Sequence, residues 1–238
     1  MTKYWIIKTG STCDELKQSA GDFEDWIIEA MGIDADEAEV WNLEKKEELP
    51  EGDNTHGIII TGSLSNVTEN LSWMKKFTPW IRPFFNTPVP VLGICFGHQL
   101  LADAFGGKVD FHAGGKEVGS VDIHLNAEGI DDYLFQGIPP TFTGYVCHSQ
   151  TVTELPKDAV RLAHNNFEQN HAFKLGRNIR GVQFHPEFNA TVTRYCVEKL
   201  AEDLRSQGLD PEQMYHAVEE NGYGKMLLKR FKEMSREL

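Results

Sequence analysis

"VLGICFGHQLLADAFGG", residues 91–107, is the stretch that decides the fold. An apolar run stops at Cys95, a helix-like pattern follows, and Gly93 and Gly97 stand two residues to either side of the cysteine. The run "PVPVLGI" reads as a strand buried on both faces, because nearly every position is apolar. "HQLLADAF" reads as a helix ended by Gly106–Gly107. Joining the two needs a sharp turn at Cys95 that holds its central residue in a strained conformation and crowds its neighbours. Glycines at 93 and 97 remove the side chains that would clash. This is a nucleophile elbow with cysteine in place of serine. It delivers a sulfur to a helix N-terminus, where the dipole and free N–H groups favour a thiolate and a developing oxyanion. A buried structural cysteine beside incidental glycines would leave the strand–turn–helix layout unexplained.

Working outward, short β-rich runs alternate with amphipathic stretches. Strands are expected at 4–9, 39–43, 57–61, 89–95, 118–125, 141–147, 160–165, 171–175 and 181–185, and helices at 22–31, 70–85, 98–105, 190–206, 211–220 and 223–236. The first half then runs β-α-β-β-α-β-α, which favours a parallel sheet covered by helices. The fold class is α/β: a central, mostly parallel sheet flanked by helices, a small antiparallel extension from 108–185, and a helical C-terminal tail. Residues 1–206 form the domain and 207–238 a helical extension of it, in which Asp210 caps a helix that starts at Pro211. The charged run "EKKEELPEGD" (44–53) reads as a solvated loop.

Composition narrows the function. The chain has 238 residues, 40% of them hydrophobic, enough for a sizeable core. A net charge of −13 argues against binding to nucleic acid or an anionic membrane surface. No stretch of roughly 18 apolar residues suggests a membrane span. "MTKYWIIKTGST" lacks the layout of a signal peptide and reads as a first strand. The four cysteines (Cys13, Cys95, Cys147 and Cys196) lack metal-type spacing, so they are expected as reduced thiols in a cytoplasmic protein, with no metal and no cofactor. No G-x-x-x-x-G-K-[ST] occurs. The two Thr-Gly-Ser segments at 9–11 and 61–63 resemble the phosphate cradle of a flavodoxin-type loop, a common pattern that points weakly to a flavin.

A cysteine nucleophile needs a base. "GVQFHPEF" ends a β run on His185, and Pro186 favours an extended backbone there. On an extended chain, residues i and i+2 share a side, which sets Glu187 beside the His185 ring to fix its tautomer and support its charge. Cys147–His148 is a second cysteine beside a histidine. Adjacent strand residues face opposite ways, so Cys147 is expected in the core. His98, next in line in the elbow helix, is expected to pack rather than act as a base.

"GICFGHQLLADAFGG" together with "VQFHPEF" resembles the class I (triad) glutamine amidotransferases, over roughly residues 55–190. Within that family the chain is most similar to stand-alone proteins related to the amidotransferase domain of GMP synthase, and to plant γ-glutamyl peptidases. "TGSTCDELKQSAGDFEDWI" and "TGSLSNVTENLSWM" also carry the likeness. The resemblance implies that Cys95 attacks the side-chain amide of glutamine, that His185 activates the thiol and protonates the departing ammonia, and that Glu187 orients His185. It implies oxyanion donors from the backbone at Gly62 or Ser63 and at Phe96. It implies glutamine contacts from Gln99 and from the "CHSQTV" loop, with His148, Ser149 and Gln150. Relatives commonly carry an acidic residue where this chain has Gln150. The expected donor is glutamine or a γ-glutamyl compound, with a separate synthetase subunit as the consumer of ammonia. Two alternatives stand beside this: a free-standing γ-glutamyl peptidase, and a glutamine-binding regulatory module. The Gly, Ser and Asn content of the 62–70 loop suggests mobility until a partner sets it.

Overall fold

The computed structural model describes residues 2–45 and 48–235. Part of the charged loop expected at 44–53 and the last residues of the expected tail fall outside them. The strands are β1 (Lys3–Lys8), β2 (Ala38–Asn42), β3 (Thr55–Ile60), β4 (Val91–Ile94), β5 (Lys108–Phe111), β6 (Glu117–Leu125), β7 (Thr141–His148), β8 (Gln150–Glu154), β9 (Ala159–His164), β10 (Ala172–Leu175) and β11 (Ile179–Val182). The helices are α1 (Asp14–Ala20), α2 (Phe23–Met31), α3 (Met74–Ile81), α4 (Phe96–Ala104), α5 (Ala127–Asp131), α6 (Ala190–Lys199), α7 (Ala201–Ser206), α8 (Pro211–Ala217) and α9 (Tyr223–Met234).

One nine-stranded sheet runs in the order β2-β1-β3-β4-β11-β10-β9-β6-β7. β2, β1, β3, β4 and β11 are parallel, and β11, β10, β9, β6 and β7 pair antiparallel. The α/β class and the antiparallel extension follow the sequence reading. The run "GIII" of β3 shows why its strand is apolar throughout. Ile59 faces a core built from Ile27 and Met31 of α2 and Leu227, Leu228 and Phe231 of α9. Ile58 and Ile60 face the opposite layer, with Phe77 and Ile81 of α3 and Leu100 and Leu101 of α4. The period of two serves two helical layers at once. Helix α9 therefore belongs to the main core.

Several boundaries differ from expectation. The helix expected at 70–85 is α3 followed by a 3-10 stretch, Arg82–Asn86, with Pro79 inside the first and Pro83 opening the second. The 190–206 helix is two helices that meet at Leu200. The strand expected at 181–185 runs Ile179–Val182, so His185 lies beyond its end. β5 and β8, unforeseen, form a separate two-stranded antiparallel ladder. Among the described residues no helix is long and apolar enough to cross a membrane.

β4 lies between β3 and β11, with Gly93 opposite Ile60 on one side and Gly181 on the other. Three carboxyl ends therefore converge, delivering the Thr61–Ser63 loop, Cys95 and the Gln183–Glu187 segment to one place. In parallel sheets that edge is where ligands bind.

Candidate active site

Cys95 caps α4 with φ +50° and ψ −101°, a left-handed backbone that costs a non-glycine residue about 1–3 kcal/mol. The cost is borne because its surroundings fix it: its N–H donates to Val182 O at 2.8 Å, and its carbonyl accepts from Gln99 N at 3.1 Å. The flanking glycines are needed for space. A Cβ on Gly93 would lie 2.7 Å from Leu101 Cδ1, and one on Gly97 2.9 Å from the carbonyl carbon of Ile60. α4 starts at Phe96 rather than at 98, directly after the cysteine. Phe96 thus holds the first helical N–H, which has no partner inside the helix.

His185 is buried. Its Nδ1 lies 2.7 Å from Glu187 Oε1, and its ring stands beside the Cys95 sulfur, close enough for the two to interact electrostatically. The two side chains meet across a turn rather than along a strand: Phe188 N donates to His185 O at 3.3 Å. The ring is stacked on Phe188 at 3.9 Å and flanked by Phe23 at 6.1 Å. Burial pulls its basicity down, but the Glu187 carboxylate and the Cys95 sulfur outweigh burial and hold the ring well above its ordinary value. Cys95, His185 and Glu187 therefore form one contiguous array.

The Thr61–Ser63 loop is fastened rather than loose. Thr9 N donates to Thr61 Oγ1 at 3.1 Å, and Thr9 Oγ1 donates to Thr61 O at 3.0 Å. Gly10 packs so closely that a Cβ there would lie 2.9 Å from Ser63 Cα. The first Thr-Gly-Ser segment thus braces the second. Further along, Gln150 Oε1 accepts from Val67 N at 3.0 Å, and Gln150 Nε2 donates to Thr68 Oγ1 at 2.7 Å. Gly62 lies against the His185 ring, where a Cβ would come within 3.0 Å of Cε1.

A cleft opens beside the sulfur, lined by Ser63, Cys95, Phe96, Gln99, Ser149 and Gln150 among others. The residues expected to touch substrate are thus gathered there, but several polar groups are already engaged. Gln99 Nε2 donates to Gln150 O at 2.8 Å and to Gln183 Oε1 at 2.9 Å. His148 has Nδ1 3.0 Å from Gln150 O and Nε2 2.9 Å from Glu117 Oε2. Glu117, which the sequence reading missed, is buried. Its desolvation is outweighed by His148 and His171, and its carboxyl stays below the ordinary range. His98 is fully buried against Phe173, and burial pushes it down to about 3, which removes it as a base. Cys147 is half-buried, packed against the core as expected and also part of the cleft wall, and Cys196 beside it draws its thiol down. Lys116, on the rim, pairs with Asp203. Among the described residues no group of three or more His, Cys, Asp or Glu is placed to hold a metal.

The elbow and array agree with a match to known sequences: a family model described as glutamine amidotransferase class-I covers residues 21–201. The chain belongs to this family. γ-Glutamyl peptidase 4 of Arabidopsis thaliana is 29% identical over 205 residues, 83% of this chain and 80% of that protein. A glutamine-hydrolyzing GMP synthase subunit of Methanococcus vannielii is 37% identical over 151 residues, 63% of this chain and 72% of that one. The fold matches a crystal structure of a glutamine amidotransferase from Thermotoga maritima, with TM-score 0.76, 20% identity and 99% of each chain covered.

Proposed function

We propose that this protein is a Cys–His–Glu glutaminase of the amidotransferase type, releasing ammonia from the side chain of glutamine for an acceptor on a separate protein. The observation that carries this reading is the strained Cys95 at the head of α4, beside the His185 ring, with Glu187 2.7 Å behind that ring. The Cys95 sulfur attacks the amide carbon, its proton passing to His185. Backbone N–H groups at Phe96 and at Gly62 or Ser63 hold the oxyanion. His185 gives its proton to the leaving nitrogen, ammonia departs, and a thioester remains on Cys95. Water, giving its proton to His185, attacks the thioester. Glutamate leaves and the thiol is restored. Glu187 keeps the ring oriented and supports its charge.

The relatives named as subunits of a glutamine-hydrolyzing GMP synthase support a separate synthetase subunit as partner. A cytoplasmic setting suits a nucleophile that must stay reduced, and all four cysteines are free. The test is glutamate and ammonia release by the purified chain, with glutamine and with γ-glutamyl dipeptides, and with Cys95→Ala as control. Turnover of glutamine that Cys95→Ala abolishes supports the reading. Rapid cleavage of the dipeptides in preference to glutamine, without a partner, would replace it with a free-standing peptidase. Binding of glutamine without turnover would leave a regulatory module.

A further inference from the structure

Gln183 has no part in the mechanism above, yet it is fully buried and touches the nucleophile. It follows β11, two residues before His185, and its backbone N–H donates to His171 O at 2.8 Å. Its side-chain amide lies between Gln99 and Cys95, with Nε2 3.5 Å from Cys95 Sγ. Which end of an amide faces which neighbour is set by the hydrogen-bond network. Here the network leaves one solution. The Gln150 carbonyl oxygen can only accept, so Gln99 must turn its Nε2 toward it, at 2.8 Å. The same nitrogen's second hydrogen then points at Gln183, which must present its oxygen, at 2.9 Å. That places the Gln183 N–H groups on the side of the sulfur.

We propose that Gln183 is a further catalytic residue, donating an Nε2–H hydrogen bond to the Cys95 sulfur and favouring its thiolate form. The inference rests on Cys95 being the nucleophile. A thiol sulfur is a weak acceptor and a thiolate a strong one, so the donor acts mainly on the charged form. When the sulfur–carbon bond forms, the negative charge moves to the carbonyl oxygen and this hydrogen bond weakens. When water cleaves the thioester and the sulfur leaves as an anion, it strengthens again. The proton passes through His185 in both directions. Gln99 is then a positioning residue: its amide fixes that of Gln183 and ties it through Gln150 to the loop at Val67 and Thr68.

The pH dependence of Cys95 alkylation separates this role from packing. The other titratable groups around the cleft are His185 with Glu187 behind it, His148 and Cys147 at the end of β7, and Lys116 at the rim; the variants leave all of them in place. Iodoacetamide is applied to the full chain at pH about 6 and about 10, and modification of Cys95 is timed by peptide mass mapping. Gln183→Met keeps the volume and loses the donor. It is expected to slow labelling about ten- to a hundredfold at the lower pH, the scale of a hydrogen bond to a charged group. At the higher pH, where an ordinary thiol ionises unaided, the rate is expected to match the wild type. Gln99→Met, which leaves Gln183 in place without its orienting partner, is expected to give the same pattern in smaller measure. No slowing in either variant, or equal slowing at both pH values, overturns the role of Gln183. If wild-type Cys95 itself fails to react, the nucleophile assignment falls instead.

Discussion

Gly97→Ala tests the geometry that holds Cys95, the proposed nucleophile. The added Cβ would lie 2.9 Å from the carbonyl carbon of Ile60 and 3.0 Å from its Cβ. Comfortable carbon–carbon contact is about 3.5–4.0 Å, so α4 must retreat from β3 by about 0.5–1 Å. Backbone and a β-branched side chain stand in the way, so neither neighbour can swing aside. Overpacking of this kind costs about 1–3 kcal/mol, and in a domain of this size each kcal/mol lowers Tm by about 2–4 °C. The effect on rate is expected to be larger. Cys95, the Phe96 N–H and the loop after β3 all move relative to one another, and about 1 Å of misplacement is worth about a hundredfold. Differential scanning fluorimetry and glutaminase turnover read the two effects separately. Gly222→Ala is the control, because a Cβ there meets nothing within 4 Å and the backbone is not left-handed. Wild-type turnover in Gly97→Ala, with Tm unchanged, would refute the claim that close approach of α4 to β3 sets the nucleophile.

Three further expectations concern the surroundings. His185→Ala is expected to cost far more turnover than Glu187→Gln, because the base moves protons, a contribution of about a hundredfold to ten-thousandfold, whereas the carboxylate orients; steady-state rates of both variants check this. Gln150→Leu unfastens Val67 and Thr68 and is expected to lower kcat by up to about a hundredfold through the oxyanion loop, while alkylation of Cys95 by iodoacetamide stays at the wild-type rate. Asp22, bonded to Lys8 at 2.6 Å, also caps α2, whose first residue Phe23 flanks His185. Burial raises the Asp22 carboxyl, but Lys8, the Thr12 N–H and Lys17 lower it to about 2. Its stabilisation is therefore present above an ordinary carboxylate value of about 3.9 and lost as pH falls toward 2. Asp22→Asn is expected to lose about 2–3 kcal/mol at pH 7, and its Tm deficit against wild type should shrink on acidification from pH about 5 to about 2.

The elbow is legible in the sequence because three signals coincide within seven residues: an apolar strand, two glycines and a following helix. β3 and β4 are legible because burial on both faces leaves almost no polar position. The elements that escape a sequence reading carry weak versions of those signals. β5, "KVDF", is mostly exposed; α1 buries only Leu16; α5 has five residues with a glycine among them. His185 and Glu187 pair as the sequence suggests, but for a different reason, since a turn at Pro186, not an extended strand, brings them together. Gln183 lies just past the end of β11, and its contact with Cys95, 88 residues away in sequence, has no local signal. Gln150 and Lys116 reach the cleft, and Glu117 reaches His148, through pairings far apart in sequence, which no local pattern encodes. The bracing of one Thr-Gly-Ser loop by the other is of the same kind. A Gly- and Ser-rich loop reads as mobile until its partners, Thr9 and Gln150, are seen.

The most direct test of the central claim is which thiol a glutamine-shaped electrophile captures. The full chain is treated with a chloroketone analogue of glutamine, and the modified peptide is identified by mass spectrometry, with excess glutamine as competitor. One label per chain is expected, on Cys95, slowed by glutamine and lost together with turnover in Cys95→Ala. The informative rival is Cys147, which lines the same cleft and whose thiol is drawn down by Cys196. A label that settles on Cys147, Cys13 or Cys196, with turnover surviving in Cys95→Ala, would contradict the central claim.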